Sequence, residues 1–246
     1  MRLGMGLRIS DFLRAGAAAV VKSTLVNNLV SYWPLNEQSG TRYDAVGSND
    51  LTDNNTVGFA AGKSGNAASF VNANNESLSL TGGNFDSPDY SISFWHKPST
   101  VGSTYSFLVT LGDAWNAQIG LVAYRYEDDL YVGSGKDGSG FQAATALQAL
   151  TDDAWHHVVI WFDSSDSKAK MQINGGSVLE TAALDGPRFN ATKFRISQEP
   201  AGTGFAIDGE MDEVAIWSRV LTEDERAELY ALGAGFFYNT TTEDFE

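Results

Sequence analysis

Cysteine is absent from the 246 residues. That excludes disulfides, thiolate metal sites and cysteine nucleophiles, and it leaves the redox compartment open. Stability must come from a packed core, and 43% hydrophobic with 12% aromatic residues is enough to build one. Proline is scarce, 5 residues against 25 glycines, so turns must rest on Gly, Asn and Asp. Positive charge is also short: 16 Lys and Arg face 31 Asp and Glu, for a net charge of −15. Nucleic acid and anionic membrane are therefore disfavoured as partners, because both need a basic face. No apolar run approaches the roughly 18–20 residues that span a bilayer. The longest early run, Ala15–Val21, is short and follows Arg8, Asp11 and Arg14 without a clean small-x-small cleavage site, so no signal peptide is expected.

The charge is unevenly placed. Met1–Leu25 holds Arg2, Arg8, Arg14 and Lys22 against Asp11 alone, a balance of +3 that leaves −18 on the remainder. Such a basic arm on an acidic body suits attachment to another copy or to another protein of opposite sign. The expected division is an assembly arm over 1–25, one body over 26–238 and a polar, frayed tail over 239–246.

The body reads as short strands. Tyr90–Lys97 alternates cleanly and ends at Pro98. Trp155–Asp163 is apolar in both phases, as a strand buried on both sides would be. Lys168–Asn174 alternates and runs into Asn174-Gly175-Gly176, a strong hairpin signal. One helix is specified: Thr222 as N-cap, Glu225 completing a capping box, Leu221, Leu229 and Leu232 on the apolar side, and Gly233 just past the end. Eleven or twelve strands and one late helix predict an all-β fold. It is a two-sheet antiparallel β-sandwich of jelly-roll type, with a short C-terminal helix and an N-terminal arm.

Five blocks carry a family resemblance. They are Tyr32–Thr41 (YWPLNEQSGT), Gly62–Phe70 (GKSGNAASF), Tyr90–Trp95 (YSISFW), Asp153–Val158 (DAWHHV) and Gly209–Trp217 (GEMDEVAIW) with Arg219, Leu221 and Thr222 after it. In this order the chain resembles the laminin G-like, concanavalin A-like lectin/glucanase jelly rolls over roughly residues 29–233. The resemblance implies a non-catalytic module that binds glycans or cell surfaces. It also implies a structural Ca²⁺ near the ends of the first and last strands, for which Glu37, Asp44 and Asp212 are the candidates. The start of the chain, MRLGMGLRIS, also resembles stand-alone laminin G-like proteins of bacteriophage particles. That implies a virion-surface or extracellular location, with the arm holding other virion subunits or further copies in a homo-oligomer.

Three functions are weighed. For adhesion, the expected ligand site is Trp115 in the loop-like stretch GDAWNAQ, with Asp113, Asn116, Tyr124 and Tyr126, because sugars stack on exposed aromatics and bond to neighbouring polar groups. A second reading has Trp115 plugging the sandwich edge. A virion structural or decoration protein with no sugar affinity is the alternative. A glycoside hydrolase is the remote one: Glu210-x-Asp212 matches a glucanase pattern, but Ala215 stands where the second Glu belongs, and Glu213 is expected on the opposite strand phase. His157 is read as a core histidine.

Overall fold

The structure is a computed structural model describing residues 23–99, 105–114, 117–136, 140–143, 148–184 and 191–246. The first sheet contains β1 (Leu29–Trp33), β3 (Gly58–Ala61), β4 (Asn66–Phe70), β6 (Tyr90–Pro98), β12 (His156–Asp163), β13 (Lys168–Ile173), β14 (Leu179–Glu180) and β16 (Gly209–Trp217). The second contains β2 (Thr52–Asn54), β5 (Ser77–Phe85), β7 (Ser106–Ala114), β8 (Ala117–Tyr126), β9 (Asp129–Lys136), β10 (Gly140–Ala143), β11 (Gln148–Ala149) and β15 (Ala191–Ile196). Their orders are β14-β13-β12-β6-β16-β4-β3, with β1 also on β16, and β10-β9-β8-β7-β15-β5-β2, with β11 on β9. All pairings are antiparallel, as the alternating strands foretold.

The inner faces meet in one core, where Trp33 stacks on Phe194 with ring centroids 5.0 Å apart and 6° between planes. Strand β12 explains its doubly apolar sequence. Val158, Ile160 and Phe162 face the core between the sheets, while Val159 and Trp161 join a second cluster on the outside of the first sheet. That outer cluster is sealed by helix α1 (Glu223–Tyr230), the turn Thr24–Val26 and a hairpin of β17 (Tyr238–Asn239) and β18 (Asp244–Phe245). Trp217, fully buried there, donates its indole N–H to the Leu25 carbonyl at 2.6 Å.

The capping box forms as expected, with Thr222 Oγ1 accepting from Glu225 N and Glu225 Oε2 accepting from Thr222 N. The helix ending differs. Ala231 caps it in the left-handed region, and Leu232, also left-handed, points into solvent at 96% exposure instead of lining the apolar side. The tail is not frayed: Phe245 is buried against Trp217, Tyr32 and Tyr238, which holds the hairpin down. Leu25 is fully buried, so residues 23–25 belong to the packed body, while Arg2, Arg8 and Arg14 lie outside the described residues. Trp155 precedes its strand and is only partly buried, unlike Trp33, Trp95, Trp161 and Trp217.

Candidate functional site: an aromatic surface on the second sheet

Strand register assembles the site. Phe107 on β7 lies opposite Tyr124 on β8, and Tyr124 lies opposite Tyr131 on β9. Three rings thus stand side by side on the outer face, Phe107 and Tyr124 at 5.3 Å and Tyr124 and Tyr131 at 5.1 Å with 7° between planes. A register shift between Phe107 and Val109 keeps Phe107 outward while Val109 and Leu111 enter the core. Tyr105 packs against Tyr126 at 4.7 Å and against Tyr124 at 5.8 Å.

Phe205 completes the surface from the loop after β15. Its carbonyl accepts from Phe107 N at 2.8 Å, and its ring meets Tyr105 edge-on at 6.4 Å and 90°. That loop is stiff: the Glu199 carboxylate accepts from Ala201 N, Thr203 N and Thr203 Oγ1, and Gln198 donates to the Gly202 carbonyl. Tyr105 is 46% exposed and Phe205 48%, while Phe107 and Tyr124 are buried beneath them. The result is a supported platform with two rings open to solvent. Burial, with Tyr105 and Tyr131 adding to it, pushes the Tyr124 phenol up to about 12, so it stays neutral and can both donate and accept.

Of the expected ligand residues, Tyr124 and Tyr126 belong to this surface. Trp115 and Asn116 lie outside the described residues. Asp113 is not with the tyrosines. It follows Phe107 by six strand positions, about 20 Å along β7, and it accepts from Thr192 N and Thr192 Oγ1 to tie β7 to the start of β15. Tyr105, Phe107, Tyr131 and Phe205 were missed by sequence reasoning. The alternation of Tyr124, Tyr126 and Tyr131 was the available signal, whereas Tyr105 and Phe205 come from non-strand positions that only the fold brings together.

The carboxylates on the other sheet are sealed. Asp212 is fully buried, and its oxygens accept from Lys63 N at 2.7 Å, Ser64 N at 3.1 Å and Glu213 N at 3.0 Å. It clamps the Gly62–Gly65 turn, where a Cβ on Gly62 would lie 2.6 Å from Asp212 Oδ2. Glu213 breaks the expected phase. It sits at φ +53° in a bulge of β16 between Asp212 and Ala215, which turns it to the outer side with Asp212, and it accepts a hydrogen bond from the Tyr32 hydroxyl. Burial pushes Glu213 up to about 9, and it pushes Asp212 up to about 7 despite the three amides. At neutral pH Glu213 is therefore a protonated acid beneath a packed layer. Glu210, half-buried, pairs with Lys97 at 3.6 Å.

The three carboxylates considered for Ca²⁺ have other occupations. Asp44 accepts from Tyr32 N, Val46 N and Asn49 N, Asp212 holds its turn, and Glu37 accepts from Tyr43 N, with its other oxygen buried and unpartnered. Among the described residues no three carboxylate or imidazole groups converge to hold a metal. His157 is buried as expected, though on the outer side of the first sheet against Trp95 and Tyr230: it is 2% exposed, its Nε2 lies 2.9 Å from Ser93 Oγ, and burial pushes its pKa down to about 3. The Ser93–His157 pair is closed to solvent, and among the described residues no carboxylate hydrogen-bonds the ring.

Fold and surface together define a jelly-roll sandwich with one sealed outer face and one on which two aromatic rings reach solvent. The chain belongs to the concanavalin A-like lectin/glucanase superfamily, laminin G-like in type, whose family model matches residues 72–225. No curated protein matches the sequence. Among solved structures the chain is similar to the binding domain of Paraclostridial Mosquitocidal Protein 1. The TM-score is 0.65 and the identity 18%, covering 84% of this chain and 52% of that one. The binding domain of botulinum neurotoxin serotype G is similar at TM-score 0.65 and 15% identity, covering 84% and 51%. Domain 4 of AbnA, an extracellular arabinanase from Geobacillus stearothermophilus solved in complex with arabinotriose, aligns at TM-score 0.63 and 18% identity, covering 85% and 98%. The chain spans about half the length of the toxin binding domains it matches.

Proposed function

We propose that this chain is a non-catalytic binding module that holds a glycan or cell-surface receptor against the Tyr105–Phe205 surface. The observation that carries the reading is that pair of half-exposed rings on a hydrogen-bonded, preformed support. Rigid aromatics bind with little ordering loss, and their neighbouring phenols supply hydrogen bonds. The neighbours support the same reading, being binding domains by name and, in the arabinanase domain, seen with an oligosaccharide. Asp212 and Glu213, the acids nearest to a glucanase pattern, are buried and so present no open pair for hydrolysis. Display on a larger assembly such as a phage particle, at a virion surface or outside the cell and held by the arm of Arg2, Arg8 and Arg14, extends the proposal.

An oligosaccharide array that includes arabino-oligosaccharides tests it. The wild-type chain should bind at least one glycan, and Tyr105→Ala with Phe205→Ala should weaken that binding by about tenfold or more, with unchanged circular dichroism. Binding that the double variant retains, or no glycan bound at all, overturns the reading. In the latter case a concentration-dependent assembly lost with residues 1–22 supports the structural alternative.

A further inference from the structure

A pocket of about 240 Å³ opens where the described chain begins, lined by Ser23, Glu228, Phe236, Asp244, Phe245 and Glu246 among others. Its lining includes two phenylalanines and three carboxylates. Among the described residues none of the three has an ion-pair partner. The volume falls below the roughly 300–1,000 Å³ typical of small-molecule sites and suits one long side chain. Ser23 forms part of the wall, its backbone N–H donating to both oxygens of Asp244 at 3.0 and 3.2 Å. Burial, joined by the fields of Glu225 and Asp244 and opposed by the Ser23 hydrogen bond, raises the Glu228 pKa. The residue joined directly to Ser23 is Lys22, which closes a segment of net charge +3 and follows the apolar run Ala15–Val21.

We propose that this pocket is the docking site of the chain's own basic segment, with the Lys22 ammonium seated among Glu228, Asp244 and Glu246 and the apolar residues before it lying on Phe236 and Phe245. Three features commit the site to that occupant: opposite charge, an apolar run in the segment's sequence to match Phe236 and Phe245, and a connection of one residue from the pocket wall. Chain connectivity favours the segment of the same molecule over that of a second copy. The contact fastens the segment to the helix and hairpin that seal the first sheet, and it is independent of the aromatic surface on the second.

Limited trypsin digestion of the full chain tests this, because Lys22 is itself a cleavage site and cleavage follows the population of the open form. Glu228→Gln with Glu246→Gln should speed cleavage after Lys22 by about fivefold at low salt, and high salt should erase the difference. Lys22→Arg should keep the protection. In thermal melts the charge swap Lys22→Glu with Glu228→Lys should recover most of the Tm lost by either single change. Cleavage that ignores the two Gln substitutions overturns the proposal. Protection that grows with protein concentration overturns it too, by assigning the pocket to a second copy's segment.

Discussion

The two sheets share one apolar core between them and differ on their outer faces. Outside the first, Trp161, Trp217 and Tyr32 lie under a helix, a turn and a C-terminal hairpin, and two carboxylic acids are buried with them. Outside the second, Phe107 and Tyr124 are buried, Tyr126 and Tyr131 are partly exposed, and Tyr105 and Phe205 pack against this group and reach solvent. An apolar outer face that the chain seals serves stability. One that it leaves open, on a rigid support, is available to a partner.

Breaking the sealed face should give the largest effect. Trp217→Ala removes a fully buried indole and its bond to Leu25, and unfolding in urea should show a loss of about 3–5 kcal/mol. A similar loss from Phe205→Ala would erase the distinction between the faces, since that ring is half exposed and its removal should change stability by less than about 1 kcal/mol.

The buried acids sharpen the comparison through pH. Glu213 ordinarily titrates at 4.5 and in the fold at about 9, so the folded chain holds a proton there that the unfolded chain has released. Stability therefore falls as pH rises from about 4.5 to about 9, with Asp212 adding a share between 3.8 and about 7. Glu213→Gln should match the wild type near pH 4 and be more stable than it at pH 8–9, flattening the profile of Tm against pH. A wild-type profile that rises through that window would contradict the placement of Glu213.

The smallest effect expected is that of calcium. With Asp44 and Asp212 holding backbone amides, neither millimolar Ca²⁺ nor EDTA should move the Tm. A clear upward shift with Ca²⁺ would show that these carboxylates can be drawn to an ion.

Local signals were the legible ones. The doubly apolar run of β12, the Thr222–Glu225 capping box and the antiparallel sandwich all follow from periodicity and capping chemistry. Bulges were not legible. One extra residue at Glu213, and another between Phe107 and Val109, resets the phase of everything beyond it, and neither carries a glycine to announce it. The tail was misread because a single aromatic, Phe245, decides its packing through partners more than 200 residues earlier and nearer by. The aromatic surface was half read, since Tyr124 and Tyr126 share a strand while Tyr105 and Phe205 meet only through the fold.

Aromatic-proton NMR of the full chain, titrated with the glycan that binds best on the array, tests the central claim most directly. Shifts concentrated on Tyr105, Phe107, Tyr124, Tyr126, Tyr131 and Phe205, with Trp95, Trp161 and Trp217 unmoved, are the predicted result. Shifts on the tryptophan face, or anywhere else while those six rings stay still, would contradict it.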